Sequence, residues 1–358
     1  METPLGMPKQ QRTWPALLAL IAISPGVGEL LSGSTPPLLI IQPFALIFLP
    51  PLYGASAVLI HDAMVRRHLG WGNVLLLGAA FGVFQEGLVV QTWFTYMIPG
   101  SPSHSGGIDG ALGGINWIWA LSVSMYHAFV SITIPILLLG LLMPRRAKRP
   151  FLGRKGRVAL VIWLIVLNSF LAFSTATTQF AKQGYHGPPP LAYLLTVGIM
   201  VALIVLGLTL RFPTWRVGGT RLAPRPLTVG FFCALCLVVY FIALSAILPT
   251  AHLPAPVMLT LSATFVGWVL WRIVSWAARP GWNDRHRFAI VLGVVGYFAF
   301  FWGPLVEFVV HLPQRVGMTA VDVIVFIVMA LYARRVRQHV ASEADITVAS
   351  TPEGVVAL

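Results

Sequence analysis

A chain of 358 residues that is 57% hydrophobic and 10% charged, with a mean hydropathy of +0.81, carries more apolar surface than a water-soluble core can hide. This excludes an ordinary soluble globule and makes the lipid bilayer its solvent and first partner. The net charge of +13 lies in short gaps between apolar runs, without an aromatic-rich polar domain, so no nucleic-acid partner is expected.

Taken in chain order, the apolar runs predict ten membrane-spanning helices: Trp14 to Gly33, Leu38 to Ile60, Trp71 to Phe94, Ile115 to Met143, Val158 to Thr178, Leu191 to Leu210, Leu227 to Leu248, Val257 to Ala278, Phe288 to His311 and Met318 to Tyr332. Inside lipid every backbone amide needs a partner within the protein. Runs this long without strict alternation therefore give an all-α transmembrane bundle, not a barrel. The gaps divide the chain into a cytoplasmic N-terminus (1–13), a first group of spans (14–143), a basic cytoplasmic loop (144–157), a second group (158–332) and a cytoplasmic tail (333–358) expected to be disordered. Of the 24 Lys and Arg residues, all but Lys182 and Arg315 fall in alternate gaps. That asymmetry predicts both termini inside, in the plasma membrane.

Proline and glycine crowd the first two spans, at Ser24-Pro25-Gly26-Val27-Gly28-Glu29, Gln42-Pro43 and Leu49-Pro50-Pro51-Leu52-Tyr53-Gly54, so kinked or broken helices are expected there. Ser32 to Pro37 reads as the short outer turn between them. Carboxylates within spans are costly and so are candidates for function: Glu29, Glu86 and Glu307. Each shares a helix face with small residues, Gly26 and Gly33 for Glu29, Gly78 and Gly82 for Glu86, and Gly303 for Glu307, which also aligns with His311. On the fourth span Ser124, His127 and Ser131 form a polar stripe with Tyr126 beside it. Glu29, Gln85, Ser124, Ser131, Glu307 and His311 are candidates for contacting a substrate or ion. Near the inner face, Asp62 and Arg66 have the spacing of a helix ion pair. Cys233 and Cys236 lie within an apolar run as small buried residues; no metal site, cofactor or ATP-binding loop is expected.

The stretches Gly28 to Pro37, Gly78 to Leu88 and Tyr126-His127-Ala128 resemble those of a bacterial multi-pass family without an assigned activity. More distantly, Phe81-Gly82-Val83-Phe84-Gln85-Glu86-Gly87 followed by His127 on another span resembles the CPBP (CAAX protease and bacteriocin-processing) intramembrane endopeptidases. That resemblance implies Glu86 as general base, His127 as an activating or oxyanion-stabilising group, and Asn168 on the fifth span as the third catalytic position. Gln85 stands where that family has its first glutamate, Val90 where it has arginine, and no phenylalanine stands four residues before His127.

The resulting expectation is an intramembrane hydrolase-like site acting on a membrane-embedded or small-molecule substrate. A secondary transporter is the alternative, supported by buried acids beside broken helices. Against it, Leu191 to Leu210 and Leu227 to Leu248 do not repeat the Pro-Gly interruptions of the first two spans. A non-catalytic scaffold or immunity factor is the third reading.

Overall fold

The computed structural model describes residues 13–98, 108–174, 184–185, 187–212, 221–305 and 317–349, with backbone alone from 335 onward. Its architecture is all-α apart from one two-residue hairpin. Among the described residues seven helices are long and apolar enough to cross a membrane, and an eighth, shorter apolar helix precedes them.

That shorter helix is α1, Trp14–Leu30. Pro25 withholds a backbone donor, and the helix continues past it through a wide turn, Gly26–Leu30, closed by Leu31 N–H on the Gly26 carbonyl at 3.1 Å. After the outer turn comes α2, Pro37–Ile40. The chain breaks before Pro43 and resumes as α3, Pro43–Arg67. Pro50 and Pro51 do not break α3; they fall in a second wide turn, Pro50–Gly54, where the ordinary ladder is already missing donors.

His68 takes a left-handed conformation (φ 52°) and turns the chain into α4, Trp71–Val89. Left-handed Gln91 then turns it into a single 3-10 turn, Thr92–Phe94. Strands β1 (Ala111–Leu112) and β2 (Ile115–Asn116) pair antiparallel across Gly113-Gly114, both at positive φ. The Asn116 side chain then caps α5, Trp117–Leu142, by accepting from Trp119 N–H at 3.1 Å.

A short α6, Pro144–Ala147, opens the basic loop. Asp62 pins this loop to α3. Its carboxylate is fully buried and accepts from Phe151 N–H at 2.6 Å and Leu152 N–H at 3.2 Å, while Arg66 lies 3.5 Å away. The spacing had suggested an ion pair alone; the backbone donors are the closer partners. His61 adds a ring stacked on Phe151, at 4.2 Å between centroids, and a 2.9 Å contact to the Ala147 carbonyl.

The remaining helices are α7 (Arg154–Ser174), α8 (Pro190–Thr209), α9 (Pro226–Ala251), α10 (Ala255–Ala277), α11 (Asp284–Tyr297, prolonged by a wide turn, Phe298–Trp302) and α12 (Met318–Ala349). Burial separates two groups. In the most apolar stretch of α4, 72% of residues are buried, and in α5 67%, against 11% in α7 and α10 and 17% in α8 and α9. The first two are therefore the axis of the bundle. The others turn side chains such as Phe173, Leu194, Phe231 and Trp271 outward, to where acyl chains would lie.

Of the ten expected spans, the first run is the shorter apolar helix, which ends at Leu30 and not at Gly33. The ninth run extends beyond the described residues after 305, and the tenth lies in α12, whose apolar part includes Asp322 and gives way to Arg334 and Arg335.

Candidate active site

Two glycines on α4 decide what meets what. A Cβ at Gly82 would come within 2.7 Å of Ser124 Cα and 3.1 Å of His127 Cβ, and one at Gly78 within 2.9 Å of Ala128 Cα. Only a bare backbone lets α4 lie this closely on α5. One turn beyond Gly82, Glu86 reaches His127, with Oε1 3.2 Å from Nε2.

The pair belongs to a longer chain of hydrogen bonds. The Thr92 hydroxyl donates to Glu86 Oε2 at 2.6 Å, and the Trp119 indole N–H donates to Thr92 Oγ1 at 2.9 Å. On the other side, His127 Nδ1 lies 3.0 Å from Ser131 Oγ, one turn further along α5. With its proton on Nε2 the imidazole can donate to the Glu86 carboxylate. Nδ1 is then left to accept from the Ser131 hydroxyl.

Exposure assigns the parts. Ser131 is completely buried and His127 is 2% exposed, whereas the Glu86 side chain is 14% exposed. Ser131 is also backed by α1, since a Cβ at Gly28 would stand 2.9 Å from its Oγ. Glu86 therefore keeps some accessible surface, whereas Ser131 keeps none and contacts the imidazole from its buried side.

A second carboxylate joins from α1. Glu29 accepts from the Thr35 hydroxyl at 2.7 Å and from the Tyr53 hydroxyl. Tyr53 links the two centres, because its ring lies 5.8 Å from the His127 ring and 5.3 Å from Phe81. Tyr126 packs on the other side of the imidazole at 5.2 Å and donates its hydroxyl to the Gly28 carbonyl.

Glu29, Tyr53, Glu86, His127 and Ser131 all stand in wide turns of their helices: Gly26–Leu30, Pro50–Gly54, Val83–Val89 and His127–Thr133. Such turns replace i→i+4 bonding with i→i+5, as in Val90 N–H to the Gln85 carbonyl at 2.8 Å and Ile134 N–H to the Phe129 carbonyl. They recur at functional sites in proteins generally.

The other sequence candidates fall differently. Gln85 and Ser124 are buried, and Gln85 Oε1 and Ser124 Oγ have no hydrogen-bond partner among the described residues. Asn168 is buried on α7 but donates to its own helix, at the Leu164 carbonyl 2.7 Å away, and no hydrogen bond links it to Glu86 or His127. Glu307 and His311 lie outside the described residues. Thr35, Thr92 and Trp119 were missed by sequence reasoning; they are ordinary outer-loop and helix-end residues until the fold places them on the carboxylates. Tyr53 carried one signal, its place between Pro50-Pro51 and Gly54. Among the described residues no three His, Cys, Asp or Glu side chains cluster as metal ligands would.

Residues 17–348 match the family model of an uncharacterized membrane protein family. No curated protein and no solved structure matches the chain.

Proposed function

The chain belongs to this uncharacterized membrane protein family, and from the buried geometry of its centre we propose that it is an intramembrane hydrolase-like enzyme with Glu86 as general base. One observation carries the reading: the 3.2 Å pairing of a partly accessible glutamate with a buried histidine whose other nitrogen is held at 3.0 Å by Ser131. In this scheme Glu86 takes a proton from water as that water adds to a carbonyl carbon, and the proton passes to the leaving group as its bond to that carbon breaks. His127 holds the carboxylate and shares the proton, and Thr92 fixes the second oxygen. Glu29 supplies from α1 the second carboxylate that Gln85 does not provide, with Tyr53 joining it to the imidazole. Asn168 has no part in the scheme.

The same reading includes ten spans, with both termini on the cytoplasmic face of the plasma membrane, supported by the alternation of cations along the chain. Glu29, a carboxylate in the wide turn that ends α1, favours coupled transport as the second reading.

The test compares membrane-protein fragments from cells producing the wild type, Glu86→Gln or His127→Ala at matched levels. Removal of the base is expected to lower turnover of a substrate by about 10²–10⁴-fold, the usual worth of general-base catalysis. Identical fragments and rates in all three would remove the hydrolase. Uptake by proteoliposomes that collapses with a proton or sodium gradient would install the transporter in its place.

A further inference from the structure

Behind Tyr126, on the side away from Gly28, lies a cleft bounded by α5, α9, α10 and α11. Tyr126, Phe129, Cys236, Phe241, Val266 and Val294 are among its walls, and only apolar surface faces the space, a narrow one of about 80 Å³. Cys236, Val266 and Val269 are only partly buried, so the cleft opens sideways between α9 and α10. Both helices present large apolar side chains outward, Leu235 and Trp268 among them.

We propose that this cleft seats an acyl chain of a bilayer phospholipid. No polar surface faces the space, so a polar ligand would give up its hydrogen bonds with water there, at a cost of several kcal/mol by transfer to a purely apolar medium. Water does not fill an apolar cavity of this kind. An empty cleft would forfeit the dispersion contacts of every wall residue. In a membrane protein the hydrocarbon that restores those contacts is the solvent itself, present in excess at the cleft mouth.

Tyr126 connects this seat to the polar centre. Its ring lies 6.0 Å from Phe241 on the cleft side and 5.2 Å from His127 on the other, and its hydroxyl holds the Gly28 carbonyl next to Glu29. A chain in the cleft buttresses the ring that packs against the imidazole. The proposal stands independently of whether Glu86 performs chemistry.

The full chain in nanodiscs of phosphatidylcholine bearing a diazirine in one acyl chain provides the test. After irradiation, labelled peptides are expected to concentrate on Phe129, Cys236 and Val266, above the level at outward-facing Phe170 and Leu194. Val266→Trp fills the space and is expected to cut cleft labelling about tenfold, equivalent to about 1.4 kcal/mol of binding, while leaving Phe170 and Leu194 labelled as before. The wild-type map decides even if that variant misfolds. Labelling of the cleft no higher than that of the outer face overturns the proposal. So does a protein–protein crosslink through Cys236, which would put a second copy in the cleft.

Discussion

Gly82 and Ser124 touch backbone to backbone: a single added carbon at position 82 would sit 2.7 Å from the Ser124 Cα. The glycine, more than any polar residue, sets the distance between Glu86 and His127. Gly82→Val is expected to wedge α4 from α5 and cost about 1–3 kcal/mol, as overpacking of a dense core does. Thermal unfolding in detergent should show a clear fall in Tm for this variant and none for the outward-facing Gly198→Ala, which meets nothing within 4 Å. Equal midpoints for both would refute the close approach.

Glu29 depends on Tyr53 and Thr35 for its donors. Tyr53→Phe removes one of them without changing the ring, and about 1–3 kcal/mol of stability is expected to go with it. Thr35→Val should cost less after Tyr53→Phe than alone if the carboxylate then takes up a proton or a water. A double-mutant cycle measured by chemical unfolding would reveal this as non-additivity. Strict additivity would mean that the two donors do not share one acceptor.

Asp62→Asn is expected to release the basic loop, since a neutral amide accepts less strongly from Phe151 and Leu152; charged hydrogen bonds of this type are worth about 1.5–3 kcal/mol. Trypsin provides the readout, with faster cleavage after Lys148 and Arg154 in the variant. Unaltered cleavage would show that α7 alone holds the loop.

The exposed pair His252–Asp109, at 2.6 Å, offers a contrast. Its partners are 80% and 43% exposed, and surface pairs contribute about 0–1 kcal/mol. His252→Ala is therefore expected to leave the unfolding midpoint almost unmoved. A large loss would assign this pair a part in holding the hairpin end of the molecule against α9.

Orientation can be checked by placing single cysteines at Gln10, Ser103 and Ser342 in a chain lacking Cys233 and Cys236, and labelling intact cells with an impermeant maleimide. Only the cysteine at 103 is expected to react. Reaction at 10 or 342 would reverse the cytoplasmic assignment of that end.

Much of this organisation is written in local pattern. Apolar runs located α3 to α5 and α7 to α10, because span length and composition are properties of consecutive residues. The Gly78-Gly82-Glu86 stripe disclosed which face of α4 turns inward, for the same reason. Two spans were overextended where no local signal marks the end, as at Leu30. Thr92 and Trp119 were invisible because their roles arise from a chain reversal at Gln91 and a cap at Asn116, which join segments by tertiary contact. The wide turns left no trace either: Val83 to Val89 reads as an ordinary helix, and only the close fit against α5 reveals the altered hydrogen bonding.

In α3 and α5 the wide turn amounts to one surplus residue taken into a helix that continues on both sides, and in α1 and α4 it closes the helix. One residue corresponds to about 100° of helical rotation, so the two halves of α3 and of α5 face their present neighbours only because that surplus is retained. Removing a single residue between 83 and 85 would turn Glu86 by about 100° relative to the Gly78-Gly82 stripe. Tolerance to one-residue deletions, scanned along the chain, should therefore trace the outline of the centre more sharply than substitution does.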